Sequence, residues 1–150
     1  MTTLDYTDRA TYLRAALLLG LVAPEEVIAW ADAVLHDERD TPHAVVDVAI
    51  AAPELTALRA ALQPIAADRE SASTVRELLQ TIARDVRDGR RSIDDTVRIF
   101  AQMRRMIAIS DQLAVDLDQF EDEHMLANAG IGAKIEKVRE KIGAWLAGWA

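Results

Sequence analysis

Ser92-Ile-Asp-Asp-Thr-Val-Arg-Ile-Phe-Ala-Gln-Met-Arg-Arg-Met-Ile107 decides how this chain folds. Ile93, Val97, Phe100, Met103 and Ile107 recur at intervals of four, three, three and four, the period of one helical face. Ser92 supplies a side-chain oxygen for the first free N–H groups, and Asp94 and Asp95 lie at the positive end of the helix dipole. No stretch of the chain alternates apolar and polar residues long enough to form a half-buried strand. The expectation is an all-α fold, an antiparallel bundle of about seven helices built from helical hairpins.

Outward from this segment the same signals repeat. Upstream, Thr74 to Glu77 has the form of a capping box, and Val75, Leu78, Leu79, Ile82 and Val86 share a face until Gly89 ends the helix. Downstream, Leu113, Leu117 and Phe120 carry the pattern to about Ala127, after a break near Ser110. The Asn128 to Gly132 loop follows, then a last helix in which Ile135, Val138, Ile142, Trp145, Leu146 and Trp149 share a face.

The first half is punctuated by glycine and proline. A helix is expected from Asp8 to Leu19, with Thr7 as N-cap and Gly20 as its stop. Pro24 opens the second, with Glu25 and Glu26 in its first turn and Val27, Ile28, Ala31, Val34 and Leu35 as its apolar stripe. Thr41-Pro42 opens a short third helix with Val45, Val46, Ala49 and Ile50 facing inward. Pro53 opens a fourth, bearing Leu55, Leu58, Leu62 and Ile65, which Pro64 ends or kinks. Ala67 to Ser73 is the one plausible linker and is too short to separate two domains, so residues 1–150 are expected to form a single domain. Leu17, Ile28, Leu62, Leu79, Ile82, Val97, Phe100, Leu117 and Ile142 are the expected core.

One internal similarity accompanies this pattern. Gly20-Leu-Val-Ala-Pro-Glu-Glu-Val27 lies over Gly89-Arg-Arg-Ser-Ile-Asp-Asp-Thr96, each closing one helix at Gly and opening another with two acids, as in a helical hairpin.

Composition narrows the function classes. Twenty-five acids against seventeen bases give a net charge of −8, which repels nucleic-acid phosphate. No uncharged stretch approaches the roughly 20 apolar residues of a membrane span, and Met1-Thr-Thr-Leu-Asp5 does not read as a secretory signal. A cytoplasmic location is therefore expected, and the absence of Cys agrees with it. The excess of Arg over Lys and the abundance of Ala point to a GC-rich bacterial coding sequence.

Catalytic and metal constellations are incomplete. With no Cys and four Ser, of which Ser92 is spent on a cap, nucleophilic catalysis lacks parts. Glu121-Asp-Glu-His124 has the Glu-x-x-His spacing of di-iron bundles, but its nearest counterpart, Asp40-Thr-Pro-His43, straddles a proline; no metal or other cofactor is expected. Gly130-Ile-Gly132-Ala-Lys134 reads as a helix stop and joint rather than a phosphate cradle. Arg90-Arg91 and Arg104-Arg105 lie among acids as a mixed-charge face. Trp145 and Trp149 read as docking of the last helix, Trp30 and Tyr12 as core or edge packing.

The acidic run carries the functional expectation. Ile107 to Ala133 holds no Lys or Arg, while Asp111, Asp116, Asp118, Glu121, Asp122 and Glu123 contribute most of the net charge. Burying these carboxylates unpaired is costly, so they are expected to be mostly exposed and to form the contact surface for a basic protein partner. Leu17-Leu-Leu-Gly-Leu-Val-Ala-Pro-Glu-Glu-Val-Ile-Ala-Trp-Ala-Asp32 and Phe120-Glu-Asp-Glu-His-Met-Leu-Ala-Asn-Ala-Gly-Ile-Gly132 resemble segments of small acidic bacterial proteins, some of them treated as immunity proteins of toxin systems. The resemblance implies a protein-binding inhibitor and carries over no site residues. Two other classes compete: a small enzymatic or metal-binding bundle centred on Glu121 and His124, and a structural subunit whose Ile135 to Trp149 face pairs with a second copy in a homo-oligomer.

Overall fold

In a computed structural model, residues 3–150 are described, with side chains from Tyr6 onward. Eight helices follow one another: α1 (Thr3–Leu18), α2 (Pro24–Asp37), α3 (His43–Ala49), α4 (Leu55–Leu62), α5 (Ala72–Arg87), α6 (Ile93–Met106), α7 (Asp111–Asn128) and α8 (Ile135–Ala147). No strand occurs among the described residues, and the fold is an all-α bundle.

The helices gather into two compact units, Met1–Glu70 and Ser71–Ala150, divided inside the polar stretch Ala67 to Ser73. In the first, α1 packs on α4, α2 on α3 and α4, and α3 on α4. In the second, α5 packs on α8, α6 on α7 and α8, and α7 on α8. The two units thus share one plan. Their leading helices match in length: α1 and α5 have 16 residues each, α2 and α6 14 each. Thr3, Gly20 and Pro24 fall at one constant offset from Ala72, Gly89 and Ile93, so the likeness between the Gly20 and Gly89 segments extends over the first two helices of each unit. Gly20 and Gly89 both adopt positive φ, which lets Leu21 N–H reach the Ala16 carbonyl and Arg90 N–H reach the Asp85 carbonyl, each at 2.8 Å. One expectation is corrected. The helices on either side of each glycine are not the closely packed pairs; the tight consecutive pairs are α2 with α3 and α6 with α7.

The second half of the plan is where the units diverge. α3 has 7 residues, whereas its counterpart α7 has 18.

Other corrections have local causes. α1 starts before the expected Asp8 because Tyr6 is buried with Ala10, Leu13 and Leu17, an apolar row that extends the face backwards. Thr7 is therefore inside the helix, where its carbonyl accepts from Thr11 Oγ1 at 2.6 Å. α3 buries Val45 and Val48, with Val46 and Ala49 half-buried; Ile50, just past the last helical residue, faces solvent. Leu55, at the first turn of α4, is exposed too. The cap of α5 is Ser71, whose Oγ accepts from Thr74 N–H, which leaves Thr74 buried in the first turn instead of serving as the cap. Ser92 and Ser110 cap α6 and α7 by accepting from Asp95 and Leu113 N–H.

Of the nine expected core residues, Ile28 is half-buried and the other eight are buried. In the second unit Phe100 sits between Phe120 and Trp145, with centroids 6.2 and 5.7 Å away, and Trp145 meets Phe120 at 5.1 Å and Trp149 at 5.7 Å. In the first unit the buried Arg14 donates to Gln63 Oε1 (3.0 Å) and the Ala67 carbonyl (2.8 Å) and lies 3.7 Å from the Glu70 carboxylate.

Candidate protein-binding face

α7 exists because Ser110 caps it and because Leu113, Leu117, Phe120 and Ala127 bury one side of it against α6 and α8. Its opposite side presents Asp111, Val115, Asp118, Asp122 and Met125 at intervals of four, three, four and three. All five are exposed, Val115 and Met125 to 59% and 61%, and Leu126 beside them to 41%. A surface helix ordinarily reserves its outer face for polar residues. Here that face mixes carboxylates with large apolar side chains and carries no cation of its own.

The six acidic residues do not behave alike. Asp111, Asp118 and Asp122 are exposed, as expected, but Asp116, Glu121 and Glu123 are half-buried. Arg104 of α6 bridges two of the six: its Nε donates to Glu121, and its Nη1 lies 3.2 Å from Asp118. Lys141 of α8 donates to both oxygens of Glu123 at 2.8 and 3.0 Å, which holds that carboxyl below its usual range. Asp116 accepts from Gln112 Nε2 at 3.0 Å. Among the described residues, Asp111 and Asp122 form no ion pair. Half of the run thus has a share in holding α7 to its neighbours, and the outward charge rests on Asp111, Asp122 and the partly neutralised Asp118.

Beside this face, a cleft of about 550 Å³ between α6 and α7 contains His124. Its Nε2 lies 2.7 Å from Asp94 Oδ1, to which its N–H donates, and its Nδ1 lies 3.3 Å from Asn128 Nδ2. Asp94 also receives Arg139 of α8, through Nε at 3.1 Å and Nη2 at 2.8 Å. The Arg139 and His124 hydrogen bonds hold the Asp94 carboxyl down at about 2. Both imidazole nitrogens are occupied, and the cleft lining offers no hydroxyl, thiol or amine nucleophile. Glu121 and His124 are drawn to different partners, Arg104 and Asp94, and among the described residues no three His, Asp or Glu side chains converge as a metal-ligand set.

Asp94 gives a pH prediction. Its folded pKa lies below the ordinary 3.8, so the stability it contributes is present above pH ~4 and is lost as pH falls from about 4 towards 2. With the side chain 42% exposed, solvent screening reduces this to about 1 kcal/mol. Asp94→Asn should cost that amount at neutral pH and flatten the acid limb of a stability–pH curve measured by urea unfolding. An acid limb identical to that of the unaltered chain would contradict the assignment.

Comparison with protein-family models, curated proteins and solved structures returns no match. No helix among the described residues is long and apolar enough to cross a membrane.

Proposed function

We propose that the protein is a non-enzymatic interaction protein of the immunity-inhibitor type, which docks a basic protein partner on the outer face of α7. The observation that carries this reading is the extension of α7 to 18 residues where its counterpart α3 has 7. The lengthened helix bears exposed carboxylates and exposed apolar side chains in one row. Exposed apolar groups within a charged patch mark contact surfaces, and the unpaired Asp111 and Asp122 would steer a cationic partner and reject an anionic one.

The discriminating variant avoids the carboxylates that hold α6 and α8. Asp111→Asn with Asp122→Asn removes two charges that form no ion pair among the described residues; the loss of Asp111 from the first turn of α7 should lower stability by no more than about 1 kcal/mol. Affinity for the protein that co-purifies with the chain from its native host should fall about tenfold at low salt, and the dependence of affinity on salt should flatten. Unaltered affinity and salt dependence would remove α7 as the docking face.

A further inference from the structure

A second cavity, of about 400 Å³, lies on another side of the Ser71–Ala150 unit. Ala72 and Val75 of α5, Ala108 of the α6–α7 connection, Leu113 of α7 and the Trp149 ring form its apolar walls. Its volume is in the range of sites that hold small molecules. The polar groups at its mouth are mostly engaged already: Ser110 Oγ caps α7 by accepting from Leu113 N–H at 3.2 Å, and Gln112 Nε2 donates to Asp116 at 3.0 Å. Arg76 is the exception. It is exposed at the rim and forms no ion pair among the described residues. The cavity also opens beside the first turns of both α5 and α7, where N–H groups and the dipole favour an anion.

We propose that this cavity binds a small amphipathic monoanion, a carboxylate with an aliphatic or aromatic body, with the body against Val75, Leu113 and Trp149 and the carboxylate on Arg76. Asp116 on the same rim disfavours a second negative charge, which selects a monocarboxylate over a phosphate ester. This site is independent of the α7 docking face, because its apolar walls and its cation lie on other residues.

Octanoate, octanol and octylamine, titrated into the full chain and followed by ¹H–¹⁵N shifts, separate the contributions. Octanoate should bind tightest and shift the Trp149 indole N–H and the Val75 and Leu113 amides. Arg76→Gln should weaken octanoate about tenfold and leave octanol unchanged, the size expected for one charge-assisted hydrogen bond. Asp116→Asn should tighten octanoate. Ala72→Trp, at an exposed lining position, should block all three ligands while leaving the fold intact. Equal affinity for octanoate and octanol, tighter binding of octylamine, or shifts that bypass Trp149 and Val75 would each overturn the proposal.

Discussion

Replacing Phe100 with Ala is expected to destabilise the Ser71–Ala150 unit by about 3–5 kcal/mol, the largest effect of any single change considered. Phe100 is fully buried and forms the centre of the Phe100, Phe120 and Trp145 cluster through which α6, α7 and α8 meet. Truncation removes its apolar burial and two ring contacts, and the surrounding helices can collapse only partly into the space. Phe100→Leu, which retains most of the volume, should recover more than half of the loss. Urea unfolding followed by tryptophan fluorescence measures both; a loss below about 1 kcal/mol for Phe100→Ala would mean that the three helices are held together elsewhere.

Arg14→Met should cost about 3 kcal/mol in the Met1–Glu70 unit. The substitution keeps an apolar stem but removes the guanidinium that donates to Gln63 Oε1 and the Ala67 carbonyl and that lies beside the largely buried Glu70 carboxylate. Arg14→Lys should restore only part of this, because one ammonium does not reproduce the planar fork that spans the three acceptors. Hydrogen exchange at Ala67, whose amide donates to Thr11 Oγ1 at 2.9 Å, should accelerate in both variants. Protection at Ala67 equal to that of the unaltered chain would show that Arg14 is not what pins this segment.

Much of this architecture was legible in the sequence, because helix periodicity and helix ends are local signals. Ile93 to Ile107 and Leu78 to Ile82 fall on the faces their spacing dictates, and Gly20, Gly89 and Gly130 end helices in the left-handed conformation. The repeat of the plan was foreshadowed only by the Gly20 and Gly89 segments, since α1 and α5, like α2 and α6, share length and buried positions more than residue types. What the sequence hid was distance along the chain. Arg104 and Lys141 lie outside Ile107 to Ala133, so a run that looked free of cations acquires two from neighbouring helices. Asp94 reaches His124 in the same way from α6, and Arg139 of α8 in turn reaches Asp94. Conversely, Val115, Met125 and Leu126 looked like ordinary apolar residues, and only packing reveals that they face solvent beside Asp118 and Asp122.

The central claim is that the outer face of α7 meets a basic protein. A photo-crosslinking residue placed at Val115, with a second chain labelled at the more exposed Ile50 of the other unit, tests it directly in the native host. The account predicts that the label at position 115 traps one basic protein, that excess unlabelled chain competes it away, and that the label at position 50 does not trap it. Trapping of that protein from position 50 but not from 115, or the absence of any protein crosslinked from 115, would contradict it.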